Sequence, residues 1–169
     1  MKKTLLLATS IAVLAGIWTV IVFNIGAFGT IPFVLWPTFI AWAAFFYLGG
    51  TTEGMVKALV QLWFGAILSG IFIYIYSQLG LNPDPGFIVL GIIVIIIAWP
   101  LTAMSAVSKW FSAVPAGFCG AASWFGVSAA NGTLNPLQTT IATMIPLLCG
   151  LLLGWLSLWI VVKLMPEKK

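Results

Sequence analysis

The chain has 169 residues, of which 62% are hydrophobic and only 6% charged. Soluble domains carry about a quarter charged residues, so this composition excludes a water-soluble enzyme or scaffold and leaves lipid as the solvent for most of the exterior. The net charge of +4 comes from seven lysines and no arginine, scattered over short loops and termini; without a basic stripe it excludes a nucleic-acid surface.

Six apolar stretches follow one another. Met1-Lys2-Lys3 before an apolar run resembles a secretory signal peptide, but the run continues through Ile17, Trp18 and Val20 without a clean cleavage site. It is therefore predicted to be a retained first membrane helix over Leu5–Phe23. Asn24–Pro32, with two glycines and a proline, breaks it from the second, Phe33–Leu48. Gly49-Gly50-Thr51-Thr52-Glu53-Gly54 precedes the third, Met55–Tyr76. Gln78–Gly86 then leads into the fourth, Phe87–Met104, with Asp84 placed to cap it and Pro85 in its first turn. Ser105–Lys109 separates the fifth, Trp110–Val127. Ser128–Gln138 precedes the sixth, Thr140–Leu164, and Asn135-Pro136 gives another cap-plus-proline start. A hydrocarbon core about 30 Å thick takes about 20 apolar residues as helix. The stretches are continuously apolar, not alternating, which disfavours strands. The expected fold is all-α: a single polytopic domain over 1–169 with six transmembrane helices.

Lysine placement predicts the orientation. Lys2 and Lys3 precede the first helix, Lys57 follows the second break, Lys109 the fourth, and Lys163, Lys168 and Lys169 end the sixth. Six crossings put all of them on one face, and the positive-inside tendency makes that face cytoplasmic, with both termini there.

The halves 1–80 and 81–169 resemble each other. Pro37…Ala43-Ala44-Phe45-Phe46-Tyr47 lies on Pro115…Ala121-Ala122-Ser123-Trp124-Phe125, and Leu62…Gly65…Ser69 lies on Leu147…Gly150…Gly154. Three crossings per half would make the second half an upside-down copy of the first, a 3+3 inverted repeat of the kind found in channels and transporters. Pro37 and Pro115 each stand near the start of an equivalent helix. From proline to the next break leaves roughly 14 residues, about 21 Å at 1.5 Å per residue. Short interrupted segments at matching places mark a transport site; the other reading is a helix that runs on N-terminally past its proline.

Residues within the apolar stretches carry the functional expectation. Gln61, two turns into the third helix, aligns with Pro146, which removes a backbone donor from the carbonyl of Ala142; an amide and a freed carbonyl could both bond a small polar solute, or could serve helix packing and a kink. Trp42 and Trp124, on the short second and fifth helices, are candidates for a constriction, with Phe46, Phe118 and Ser123 as further path residues. Buried aromatic packing is their ordinary alternative. Gly65-x-x-x-Ser69 and Gly150-x-x-x-Gly154 offer smooth faces for close helix packing, within the chain or between copies in a homo-oligomer. Glu53 is read as a helix-start carboxylate paired with Lys57 at i,i+4. Cys119 and Cys149 are expected to be packing residues, since the chain has no His and no CxxC. No metal cluster, cofactor motif or nucleophile–base pair stands out, so enzymatic chemistry is not expected.

Trp36-Pro37…Ala43-Ala44-Phe45-Phe46, the Gly49-Gly50 break, the small-residue third helix, and Val114-Pro115-Ala116-Gly117-Phe118…Ala121-Ala122-Ser123-Trp124-Phe125 resemble the YcdZ-like family of small bacterial inner-membrane proteins, a family of unknown function. The resemblance implies a bacterial inner-membrane location and carries no site residues with it. The expected role is a channel or facilitative transporter for a small solute, uncharged and polar or a small anion. The alternative is a non-transport membrane protein that binds a partner through its Gly-rich helix faces.

Overall fold

The computed structural model describes residues 1–79 and 86–165. Six helices form it: α1 (Lys2–Ile25), α2 (Trp36–Tyr47), α3 (Thr52–Gln78), α4 (Gly86–Ala103), α5 (Val114–Ala130) and α6 (Pro136–Leu164). Four of them, α1, α3, α4 and α6, are long and apolar enough to cross a membrane. The other two are shorter. Helix α2 has 12 residues, about 18 Å, and α5 has 17, about 26 Å. Both begin at their proline, Pro37 and Pro115 standing in the first two helical positions. Of the two readings of these helices, the short proline-started one is therefore found, because a proline at that position needs no amide partner and has its φ preset for the helix.

Local chemistry explains the other boundaries. Gly49 and Gly50 end α2: Gly49 N–H bonds Phe46 O and Gly50 N–H bonds Phe45 O, both at 3.0 Å, with Gly49 at φ 85°. This is the left-handed helix end that glycine alone enters without steric cost. Thr51 caps α3 by accepting from Gly54 N–H. Asn135 and Gln138 form a reciprocal capping box at the start of α6. The expected Asp84–Pro85 cap of α4 lies outside the described residues.

Three local features depart from the expected pattern. Within the first break, Ala27–Phe28 (β1) and Ile31–Pro32 (β2) pair antiparallel; Gly29, at φ 61°, opens the two-residue turn that such a ribbon needs. Pro100 lies inside α4. Between α4 and α5 the chain makes two short 3₁₀ turns, Met104–Ala106 and Lys109–Phe111, so α5 starts later than Trp110.

Helices α3 and α6 are central, α1 and α4 peripheral. Only Ser10 and Val22 of α1 are buried. The main pairings are α3 with α5 and α2 with α6, and both run parallel. Along α2 and α6, Thr38 meets Gly150, Phe45 meets Gly154, and the turn at Gly50 meets Leu158. Along α3 and α5, Gln61 and Gly65 meet Gly117, and Gly70 meets Trp124. Helices α3 and α6 are antiparallel, since Trp63 Nε1 donates to Met144 O at 3.2 Å while Gly70 faces Thr140. Helix α1 runs against α6: Ser10 donates to Ser157 O at 3.2 Å, and Trp18 packs edge-on against Phe33 near the start of α2.

The chain thus alternates between two ends of the bundle. One end collects the first residues of α1, the α2–α3 turn, the α4–α5 connection and the last turn of α6. There Glu53 and Lys57 pair at 2.9 Å and Lys109 acts electrostatically on the same carboxylate, which is the ion pair expected from the sequence. Lys163 sits over Trp159 at the last turn.

Candidate functional site

The close helix crossings use the small residues singled out in the sequence. A side chain at Gly65 would strike the Gly117 carbonyl, and one at Gly150 the Thr38 carbonyl; Gly154 is covered by the Phe45 ring. Ser69 is fully buried and spends its hydroxyl on Gly65 O at 2.9 Å. Gly120, not singled out, meets the Leu62 carbonyl. These faces hold the chain's own helices together, so neither is left open for a partner.

Among the described residues, five buried polar side-chain atoms have no hydrogen-bond partner: Trp18 Nε1, Thr38 Oγ1, Trp42 Nε1, Gln61 Oε1 and Ser123 Oγ. In hydrocarbon surroundings each such atom costs a large part of its hydration energy. Four of the five lie on α2, α3 and α5, and three of them are expected path residues. Their setting follows from helix register. Val34, Val127 and Ala142 form one buried apolar contact, backed by Ile31 and Leu134. Thr38 stands four residues after Val34 and Ser123 four before Val127. Ser123 therefore lies one helical turn inward from that apolar contact, Thr38 follows Val34 into the first turn of α2, and Trp42 stands one turn further along α2.

Gln61 is placed differently. Its Nε2 donates to Leu101 O at 3.4 Å and to Phe111 O, which fixes the amide orientation. Its Oε1 is left facing Gly117, 2.7 Å from where a β-carbon there would be. One amide thus joins α3 to the end of α4, the 3₁₀ turn and the first turn of α5. Pro146 is buried within α6, one turn beyond Ala142.

Trp124 is buried and donates from Nε1 to Thr140 Oγ1 at 2.9 Å. Its ring floors a cavity of about 470 Å³ at the end of the bundle opposite the lysines. Helix α3 contributes Tyr76 and Ser77, α5 contributes Ser128, and α6 contributes Pro136 and Thr139. Both constriction candidates, Trp42 and Trp124, are buried, whereas Trp155 stacks on Trp159 at the outer surface of α6. No ring contact joins Trp42 to Trp124; Trp42 stacks instead on Phe39 at 6.4 Å. Phe46 is half-buried, edge-on to Phe45. Phe118 is 44% exposed and lines a groove against α4 with Val94, Ala98 and Leu101, so the structure does not bring it to the Ser123–Trp124 region.

The sequence reading missed Thr38 and the vestibule. Thr38 carries a signal, since it follows Pro37 and stands one turn before Trp42 in an apolar segment. The vestibule carries none, because the end of α3 lies far in the chain from the α5–α6 connection that builds the rest of it. Cys119 and Cys149 are unpaired and partly buried, and among the described residues no group of three His, Cys, Asp or Glu comes together.

Helical elements of this length and apolarity define a helical membrane protein. A family model described as "Protein of unknown function (DUF1097)" matches residues 8–161, and the chain belongs to that family. Neither a curated protein nor a solved structure shows detectable similarity to it.

Proposed function

We propose that the protein is a channel or facilitative transporter for a small polar solute, with its path along the seam where α2 and α5 meet α3 and α6. The observation that carries the proposal is the pair of uncommitted hydroxyls, Thr38 and Ser123. They sit on two short proline-started helices, beneath an apolar contact. Buried polar groups without partners persist where something polar visits them.

We read the two halves as an inverted repeat, which fits the same path. Exchanging α1 with α4, α2 with α5 and α3 with α6 carries the α2–α6 pairing onto the α5–α3 pairing. It also exchanges Gly65 and Gly150, each of which packs against a backbone carbonyl of the short helix opposite. Pro37 and Pro115 fall at opposite ends, since Tyr47 at the close of α2 shares a groove with Pro115 and Ala116 at the opening of α5. A two-fold arrangement of this kind gives each side of a membrane an equivalent approach to the centre. The centre itself is closely packed by Ala41, Phe45, Leu62, Ala66, Leu147 and Leu151, which makes this an occluded form whose path opens by movement of the short helices.

The resemblance to the YcdZ-like family and the lysine-bearing end support a bacterial inner membrane, with both termini in the cytoplasm. The Gly-rich faces are engaged within the chain, which leaves the partner-binding alternative without the surface it was built on.

The test is osmotic shrinkage of proteoliposomes against a panel of small solutes and anions. Faster flux than in protein-free vesicles for at least one solute, altered by Trp42→Ala and by Ser123→Ala, is the expected result. No rate change for any solute would remove the proposal.

A further inference from the structure

We infer that the solute is small, uncharged and rich in N–H or O–H donors, such as an amide or a polyol, and that the vestibule above Trp124 selects it. This rests on the transport reading above and narrows it by excluding anions.

The hydroxyls in and beside the vestibule have mostly spent their hydrogens. Thr139 donates to Asn135 O at 3.1 Å, Ser77 to Tyr74 O at 2.7 Å, and Thr140 to Pro136 O at 2.8 Å while accepting from Trp124. One turn deeper, Thr143 donates to Thr139 O at 2.8 Å. A hydroxyl whose proton is engaged on its own helix offers only lone pairs to a visitor. Ser128 is the one lining hydroxyl without a bond among the described residues.

The helix ends point the same way. Helices α3 and α5 both present their C-terminal, partially negative ends at this mouth, ending at Gln78 and Ala130. The helices that line the mouth contribute one positive end, the start of α6, where the Asn135–Gln138 box occupies the Asn135 and Gln138 amides. An anion entering here meets lone pairs, two negative helix ends and a positive end already satisfied by its own side chains. A donor-bearing solute meets acceptors over most of the lining, with the Ser128 hydroxyl able to turn its lone pairs inward.

The experiment uses proteoliposomes of the full chain and four probes: urea, glycerol, trimethylamine N-oxide, which accepts hydrogen bonds but donates none, and formate. Urea or glycerol should shrink-recover faster than in protein-free vesicles, and trimethylamine N-oxide and formate should not. Thr139→Val, which keeps the shape and removes the lone pairs, should slow urea about fivefold, the loss of about one hydrogen bond. Ser128→Ala, a milder change at the rim, serves if Thr139→Val fails to fold, and it should also slow urea. Flux of formate or trimethylamine N-oxide at or above that of urea would overturn the inference while leaving transport standing. Unchanged urea flux in every folded variant would remove the vestibule as the selecting site. No flux of any probe would remove the transport reading and this inference together.

Discussion

Gly65 and Gly150 allow a helix backbone to lie directly on its neighbour, and the cost of filling either position is steric. A valine at Gly150 would meet the Thr38 carbonyl and Ala41, and one at Gly65 the Gly117 carbonyl and Ala121 N. Each substitution should destabilise by about 1–3 kcal/mol or more, since overpacked backbone contacts have no flexible atom to yield. Thermal unfolding in detergent measures this, with Gly126→Ala as the comparison, because nothing lies within 4 Å of a β-carbon there. Gln61→Leu should cost about 1–3 kcal/mol by stranding the Leu101 and Phe111 carbonyls, and amide exchange in the α4–α5 connection should rise. The Glu53–Lys57 pair stands at a mostly exposed carboxylate, where screening leaves little net interaction; Glu53→Gln should not shift the unfolding temperature measurably. These small-residue and ion-pair positions were legible from spacing alone. The orientation of Gln61 was not, because its partners are backbone carbonyls 40 and 50 residues away.

At the scale of elements, composition and proline placement located all six helices, and Pro37 and Pro115 left α2 and α5 open to a short reading and to one running on past the proline. The two-residue ribbon at Ala27–Pro32 and the 3₁₀ turns at Met104–Ala106 and Lys109–Phe111 escaped notice. Segments that short carry no periodicity, and apolar residues around them read as helix. Pro100 lies inside α4, three residues from its end, and leaves the Ile96 carbonyl without its ladder donor. The α2–α3 turn makes a sharper demand. Gly49 holds φ 85°, and Gly49→Ala should lose about 1–2 kcal/mol by placing a β-carbon in the left-handed region. The same substitution should loosen the Thr51 cap that follows. Hydrogen exchange across Phe45–Met55 reads both effects, and unchanged protection would contradict the turn geometry.

For the whole molecule, lysine positions anticipated that the chain alternates between two ends with its described lysines gathered at one. They said nothing of which faces meet, and the apolar composition that identifies a membrane protein is the reason: almost every helix face is hydrophobic, so no stripe singles out the buried side. Transport therefore requires that water reach the uncommitted hydroxyls of α2 and α5. The direct measurement is thiol accessibility in intact proteoliposomes. Cys119 and Cys149 are replaced by alanine, and Ser123→Cys and, separately, Ser128→Cys are exposed to a small water-borne methanethiosulfonate. Position 128, at the vestibule, should react at once; position 123, below the apolar contact, should react slowly but to completion, and more slowly still with urea present. A thiol at 123 that never reacts, in protein whose vestibule thiol reacts fully, would mean that the seam is permanently dry and carries nothing across.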